Sequence, residues 1–231
     1  MARIDPETTV AALTLERPQR TRLFEQLGLD YCCGGERSLA EACAAHGLDL
    51  NTVLVLLAGE AQTPTTDLKD WSEASIPDLV DHIVNAHHTY LREELPRLSE
   101  LSAKVAAAHG AEHPELVELA RRFEQLRSEL EEHLELEESV TFPAARALAS
   151  GEAASPGDLD GLLHDHREVG AALEELRERT AGYDAEQALC GTHRALLTGL
   201  HELEVDIHEH VHEENNILFP RIASQAQTNG H

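Results

Sequence analysis

Two short stretches of the sequence combine histidine, glutamate and a Phe-Pro pair at the same spacing. The first, HLELEESVTFP, spans residues 133–143, and the second, HVHEENNILFP, spans residues 210–220. In each stretch a glutamate follows a histidine by four residues, which places both side chains on one face of a helix. Imidazole nitrogens and carboxylate oxygens are ligands for iron, manganese and zinc. The two stretches therefore indicate a candidate metal centre.

The two stretches belong to an internal repeat of the chain. His133 and His210 are separated by 77 residues, and so are Glu137 and Glu214. The apolar residues around them recur at intervals of three and four, which predicts that each pair faces the core of a helical bundle. A buried carboxylate is costly unless it is paired or binds a metal. One buried His–Glu pair could be structural, but two pairs in register favour a metal centre.

A further histidine precedes each of these pairs. His88 lies 45 residues before His133, and His166 lies 44 residues before His210. His166 shares the core-facing periodicity of its helix. In the first helix both His87 and His88 align with apolar positions, so either could be the ligand. The 78-residue offset between His88 and His166 favours His88.

The ligand types narrow the choice of metal. Imidazole and carboxylate without thiolate favour iron, with manganese or zinc as alternatives, and argue against an iron–sulfur cluster or a structural zinc site. Two carboxylates can bridge two metal ions, and four histidines then supply two nitrogens to each. With a shared oxo or hydroxo bridge, a six-coordinate iron would keep an open position. An open position is expected of a centre that reacts with a ligand.

Four long helical stretches are predicted to position these residues. The first runs to about His109, and the second runs from Pro114 to about Ala149. The third is expected to begin with Ser155 as its cap and Pro156 at its first helical position. The fourth ends near residue 223. Short connections between four such helices predict an antiparallel four-helix bundle.

The chain is predicted to be all-α and to contain two domains. Aromatic residues make up only 3% of the sequence, while Ala, Leu and Glu are abundant, a composition typical of helical proteins. We expect a small helical domain at 1–60, a linker at 61–74, the bundle at 75–223 and a flexible tail at 224–231. The small domain should contain three helices, the first ending near Gly28 and the second capped by Ser38.

A pair of adjacent cysteines stands out in the small domain. Cys32 and Cys33 lie in the motif DYCCGG, residues 30–35. Adjacent cysteines form a disulfide only with strain, so vicinal thiols are the expected state. They either pack as small apolar groups or act as soft ligands or redox thiols that receive iron, electrons or a target protein.

The charge of the chain disfavours binding to partners that are themselves negatively charged. The formal net charge is −25, which disfavours nucleic acids and anionic membranes. No apolar run reaches the length of a membrane span, and the N-terminus MARIDPETTV lacks the apolar core of a signal peptide. Four cysteines are too few for a disulfide framework. We therefore expect a cytoplasmic protein, as a monomer or homodimer.

The motifs together resemble a known family. The His-xxx-Glu repeats are similar to those of hemerythrin-like di-iron domains. With DYCCGG, the linker motif KDW (69–71) and ENNILFP (214–220), the chain resembles the iron–sulfur cluster repair di-iron proteins over nearly its whole length. The resemblance implies two non-haem iron ions, bridged by the two glutamates and bound by four histidines. These ligands are His88, His133, Glu137, His166, His210 and Glu214.

The resemblance also implies a function. Damaged iron–sulfur proteins would be the clients, and repair after oxidative or nitrosative stress would proceed by iron donation or by handling of nitric oxide, with nitric oxide reduction as a possible enzymatic activity. The alternative is a protein that binds or senses oxygen or nitric oxide. Oxygen-carrying hemerythrins have an aspartate where this chain has Glu214, which disfavours a carrier. A ferritin-like oxidase is disfavoured because its motif is Glu-xx-His.

Overall fold

A computed structural model describes residues 4–60 and 71–229 of the chain. Over these residues the chain forms helices, turns and loops, with an isolated bridge between Thr9 and Ser38. The prediction of an all-α protein is confirmed. None of the helices in these ranges combines the length and apolar character that a membrane span requires.

The N-terminal part contains four short helices, one more than predicted. They are α1 (Val10–Glu16), α2 (Arg20–Leu27), α3 (Leu39–Ala45) and α4 (Leu50–Glu60). The additional helix is α1, whose cap Thr9 accepts a hydrogen bond from the backbone of Ala12. With only seven residues, α1 is too short for its periodicity to be distinctive, but Val10 and Leu13 anchor it in the core.

The predicted helix ends of this part agree with the structure. Gly28 follows α2 with a φ of 65°, a left-handed conformation that glycine adopts at little cost. Ser38 and Glu41 form the reciprocal hydrogen bonds of a capping box at the start of α3. Gly47, with a φ of 66°, lies just beyond the end of α3. Local sequence signals were therefore sufficient for these boundaries.

Four long helical runs make up the remainder of the described chain. Three of them are interrupted by a π-helical turn, at Val84–His88, Glu137–Thr141 and Glu214–Leu218. The α-helical parts are α5 (Ile76–Ile83), α6 (Thr89–His109), α7 (Pro114–Leu136), α8 (Phe142–Ala149), α9 (Leu159–Arg179), α10 (Gly191–Glu213) and α11 (Phe219–Asn229). These are the four helices predicted for the bundle, and α7 packs against both α6 and α9.

The predicted start of the third bundle helix was wrong. Gly157 has a φ of 83°, and a residue in this left-handed conformation cannot continue a right-handed helix from Pro156. The helix α9 begins instead at Leu159. Its cap is Asp158, which accepts a hydrogen bond of 3.0 Å from the backbone N–H of Gly161. The capping signal was correct in kind but lay three residues further along the chain.

The predicted tail at 224–231 is helical as far as Asn229. The last helix, α11, continues to Asn229, and its first turn contains Ile222, which is fully buried. Asn229 Nδ2 then donates to the backbone oxygens of Leu148 and Glu152, at 3.0 and 3.3 Å. Residues 230–231 and 61–70, most of the predicted linker, lie outside the described residues. Trp71–Glu73 forms a 3-10 turn.

The described chain divides into two compact units. One contains α1 to α4 together with His208–Pro220, and the other contains Ile76–Ile207 together with α11 beyond residue 220. The segment His208–Pro220 is part of the last helical run, which is continuous from Gly191 to Asn229. The division therefore falls within one unbroken helical run.

Candidate metal centre

The six residues predicted as metal ligands fall into two overlapping groups. In each group the ligand atoms all lie within 4.8 Å of one another. The first group is His88, Glu137, His210 and Glu214, and the second is His133, Glu137, His166 and Glu214. The two glutamates belong to both groups. His88 rather than His87 therefore lies among the predicted ligands.

All six side chains are buried, with at most 5% of their surface exposed. Glu137 and Glu214 are completely buried. Two ionised carboxylates so close together would repel each other and lose their hydration, which costs several kcal/mol for each ion. A bound cation removes both penalties. The chemistry of this donor set, buried imidazoles around two buried carboxylates, therefore fits a site for transition-metal ions.

The distances show how Glu137 joins the two groups. Its Oε1 lies 3.4 Å from His133 Nε2, while its Oε2 lies 3.5 Å from His88 Nε2. Because each oxygen faces a different imidazole, one carboxylate can serve two metal ions. Glu214 Oε1 lies 3.1 Å from His210 Nε2, so each glutamate faces the histidine four residues before it.

The second group contains a close approach of two imidazoles. His133 Nε2 and His166 Nε2 are 2.9 Å apart, with the ring planes inclined at 62°. Two nitrogens at this separation are suited to neighbouring positions on one metal ion. The Nδ1 of His133 lies 3.7 Å from Asp165 Oδ2, too far for a hydrogen bond. Asp165 therefore lies beside the centre without fixing this ring.

A carboxylate fixes the ring of His88 through Nδ1, the ring nitrogen that does not face Glu137. Its Nδ1 lies 2.8 Å from Glu138 Oε1, and Arg92 Nη1 lies 2.6 Å from the same oxygen. Burial opposes ionisation of Glu138, but the hydrogen bonds from Arg92 and His88 outweigh it and hold the pKa of this carboxyl below its ordinary value. A carboxylate on Nδ1 leaves Nε2 as the ligand atom. No motif or periodicity in the sequence indicates this role of Glu138.

Three π-helical turns were also missed, and each contains a predicted ligand. The N–H of Phe142 donates to the carbonyl of Glu137, and the N–H of Phe219 donates to that of Glu214. The third turn, Val84–His88, ends at the predicted ligand His88. Such π turns are rare and often occur at functional sites, because the extra residue redirects side chains.

The Phe-Pro pair was the available signal for two of the π turns. Pro143 and Pro220 lie two residues after the last residues of the turns at Glu137–Thr141 and Glu214–Leu218. A proline has no N–H to donate, and its ring clashes with the carbonyl four residues earlier in a regular α-helix. A wider turn before the proline relieves that clash. The turn at Val84–His88 has no such proline.

The vicinal thiols lie in a tight loop organised by Asp30. Its Oδ1 accepts hydrogen bonds from the backbone N–H groups of Cys32 and Cys33, and its Oδ2 accepts one from Gly34. The two sulfur atoms are 3.4 Å apart and not bonded to each other. The hydrogen bond with Cys33 and burial raise the pKa of the Cys32 thiol. Cys32 is therefore a protonated thiol at neutral pH.

The two glycines after the thiols are required by the same loop. A Cβ atom at Gly35 would lie 2.5 Å from the carbonyl oxygen of Tyr31 and 2.9 Å from Ala11 Cβ. A Cβ atom at Gly34 would lie 2.8 Å from Asp30 Oδ2. The motif DYCCGG therefore encodes one compact structure, in which the aspartate and the glycines shape the loop that carries the thiols.

The thiol loop is bound by the residues that follow Glu214. Asn215 Nδ2 donates to the carbonyl oxygen of Cys32 at 3.1 Å, and Asn216 Nδ2 donates to that of Tyr31 at 3.4 Å. The ring of Tyr31 also packs edge-on against His212. The two asparagines of ENNILFP thus link the thiol loop to the π turn that begins with Glu214.

Comparison with known proteins gives matches over both parts of the chain. Residues 79–222 match the hemerythrin HHE cation binding domain, and residues 6–60 match the ScdA_N domain, a domain of unknown function. The chain is 38% identical to the iron-sulfur cluster repair protein YtfE of Edwardsiella ictaluri, over 90% of this chain and 93% of that protein.

Two further relatives carry the same name. The YtfE protein of Pectobacterium carotovorum is 33% identical over 93% of this chain and 96% of its own length. That of Escherichia coli O81 is 35% identical over 90% of this chain and 93% of its own length. The chain therefore belongs to the family of two-domain iron–sulfur cluster repair proteins that carry a hemerythrin cation-binding domain.

Proposed function

We propose that the protein is a non-haem di-iron protein that repairs damaged iron–sulfur clusters by donating iron. The observation that carries this proposal is the pair of buried ligand groups that share Glu137 and Glu214. Relatives named as iron-sulfur cluster repair proteins match this chain over nearly its whole length. Iron–sulfur proteins are accordingly the proposed clients, in the cytoplasm.

The proposed arrangement assigns two histidines to each iron ion. His88 and His210 would bind one ion, and His133 and His166 would bind the other. Glu137 and Glu214 would bridge the two ions, which is supported for Glu137 by the separate imidazoles that its two oxygens face. When bound by these residues, the two ions would supply releasable iron and would bind a small diatomic ligand, nitric oxide or oxygen.

The chain's own residues would hold and shield this centre. Glu138 and Arg92 fix the ring of His88 by hydrogen bonds, so that its Nε2 is presented to the metal. The complete burial of both glutamates excludes water from the bridging positions and strengthens their attraction to a cation. Release of iron would then require these side chains to be displaced or protonated.

Cys32 and Cys33 are proposed to take part in the transfer of iron or electrons. Supporting this, Asn215, the residue after Glu214, donates a hydrogen bond to the carbonyl oxygen of Cys32 in the thiol loop. Cys33 is the more exposed of the two thiols and is the one a client could reach. In this view the domain at 1–60 receives what the bundle at 75–223 releases.

The test is iron content followed by transfer. Protein purified without oxygen should contain about two iron ions per chain, and His133→Ala and Glu214→Ala should lower that number sharply. His164→Ala is the control, because it removes an exposed histidine outside the two ligand groups. It should keep the iron content of the wild type. The loaded protein is then mixed with a cluster-free [4Fe–4S] protein, and recovery of that protein's activity is measured.

Three results would contradict the proposal. If the protein contained zinc instead of iron, or if both variants kept their iron, these residues would form a buried polar network and not an iron centre. Nitrous oxide formation from nitric oxide and an electron donor, without iron transfer, would favour a nitric oxide reductase. A stable adduct of the reduced protein with oxygen or nitric oxide, again without transfer, would favour a binding or sensing protein.

A further inference from the structure

A third cluster of ligand side chains lies outside the two groups of the candidate iron centre. It consists of His82, His87 and Glu213, whose ligand atoms all lie within 4.8 Å of one another. His82 is in the last turn of α5, His87 is in the π turn that follows, and Glu213 is the last residue of α10. The two histidines lie five residues apart on one helical run, whereas Glu213 comes from a distant part of the sequence.

The two imidazoles of the cluster are arranged at a right angle to each other. The ring centroids of His82 and His87 are 5.4 Å apart, and the planes are inclined at 81°. His87 is buried, while His82 and Glu213 are partly exposed. A ligand could therefore enter from solvent on the side of His82 and reach a nitrogen that is itself shielded from water.

His87 is held in the way that metal-binding histidines usually are. Its Nδ1 lies 2.9 Å from Asp206 Oδ1, on α10, and the Asp206 side chain is only 19% exposed. A carboxylate on one ring nitrogen fixes the tautomer and leaves the other nitrogen to bind a metal.

The donor set determines the class of ion. Two imidazoles and one carboxylate suit borderline divalent ions such as Fe²⁺, Zn²⁺ and Co²⁺, whereas Mg²⁺ and Ca²⁺ prefer oxygen ligands. Three protein ligands leave further coordination positions to water. An ion bound in this way would exchange more readily than one enclosed by four buried ligands.

We propose that His82, His87 and Glu213 bind a third divalent transition-metal ion, separate from the buried pair. The cluster adjoins the candidate iron centre in sequence, since His87 precedes His88 and Glu213 precedes Glu214. This placement suits an ion on its way into or out of the buried pair. That role rests on the proposed iron transfer, whereas the existence of the site does not.

The site is tested by counting zinc on protein that already contains its iron. Full-length protein is loaded with iron without oxygen, dialysed against a fixed low concentration of free Zn²⁺, and assayed for both metals. The wild-type chain should hold about one zinc ion in addition to its iron. His82→Ala and Glu213→Gln should hold about one zinc ion fewer than the wild type, with unchanged iron content and an unchanged iron absorption spectrum. The exposed His164→Ala is the matched control and should behave as the wild type.

Two outcomes would overturn the proposed site. Equal zinc in the wild type and in both variants would show that the ion binds elsewhere, and loss of iron from His82→Ala would make this histidine part of the buried centre. The exchange role has its own measurement, the rate at which a chelator removes iron. His82→Ala should slow this rate several-fold at equal iron content, and an unchanged rate would overturn the role. Neither measurement uses a client protein, so both remain decisive if cluster repair fails.

Discussion

Glu138 Oε1 lies 2.8 Å from His88 Nδ1 and simultaneously accepts a hydrogen bond of 2.6 Å from Arg92. One oxygen thus ties the orientation of a buried imidazole to a partly exposed arginine. Glu138 is the residue after Glu137, and the π turn that begins at Glu137 carries both of them. The same local change in helical geometry places the carboxylate of Glu137 among the predicted metal ligands and that of Glu138 against Nδ1 of His88.

Glu138→Gln should weaken iron binding without unfolding the protein. A glutamine keeps the size of the side chain but removes the charge that polarises His88, and loss of such an outer carboxylate typically lowers metal affinity about 10–100-fold. Competition with an iron chelator measures the change. Glu135→Gln, an exposed glutamate on the same helix, is the control and should bind iron as the wild type does. Equal affinity in both variants would rule out the orienting role of Glu138.

Asn215→Ala should expose the vicinal thiols. The substitution removes the donor to the carbonyl oxygen of Cys32, and a buried acceptor that loses its partner costs about 1–3 kcal/mol. The thiol loop should then open more often, and the rate at which iodoacetamide alkylates Cys32 and Cys33 should rise about tenfold or more.

The matched control for this prediction is Asn229→Ala. Asn229 also donates to backbone carbonyls, those of Leu148 and Glu152, but at the far end of the last helix. Its replacement should leave the alkylation of the two thiols unchanged. If both variants react at the wild-type rate, the hydrogen bond from Asn215 does not hold the loop.

Much of the fold could be predicted because its signals are local or periodic. The capping box at Ser38 and the glycine after α2 specify helix ends through the backbone of a few neighbouring residues. The 77-residue repeat predicted that His133 and His210 occupy equivalent positions, each four residues before a glutamate. Periodicity then predicted burial of both pairs, which the structure shows.

The parts that were missed depend on contacts between distant residues or on departures from regular helix. Nothing in the periodicity around His88 specifies that Glu138, fifty residues later, would orient it. A π turn shifts the phase of a helix by one residue, which a regular 3.6-residue period cannot reveal. This shift also explains why His87 and His88 were hard to distinguish, since both lie in the π turn at Val84–His88.

Gly35→Ala should destabilise the N-terminal helices. The added methyl group would lie 2.5 Å from the carbonyl oxygen of Tyr31 and 2.9 Å from Ala11 Cβ, and such overpacking typically costs about 1–3 kcal/mol. The full chain is unfolded in urea, and the alkylation of Cys32 and Cys33 reports the unfolding of this part. The variant should unfold at a lower urea concentration than the wild type.

Gly59→Ala is the matched control for the glycine prediction. A Cβ atom at Gly59 would meet nothing within 4 Å, and the residue lies inside α4. Alanine is favoured over glycine in a helix by up to about 1 kcal/mol, so this variant should be as stable as the wild type or slightly more so. A stabilised Gly35→Ala would show that the loop tolerates a side chain and that steric contact is not the reason for the glycine.

His193 should make the stability of the second unit depend on pH. Burial lowers the pKa of His193, and the nearby His109 and His113 lower it further; Cys190 Sγ also faces this region. The folded state therefore binds a proton less readily than the unfolded state, whose histidines titrate at about pH 6.5. The resulting contribution to stability is fully present above that pH and is lost as the pH falls below it.

His193→Asn, which can still accept the hydrogen bond from Leu189 N–H, should remove this contribution. In urea unfolding of metal-free protein between pH 7 and pH 5, its free energy of unfolding should decline less steeply than that of the wild type. The exposed His164→Asn should keep the wild-type slope, and an equal slope in all three proteins would assign the pH dependence to other histidines.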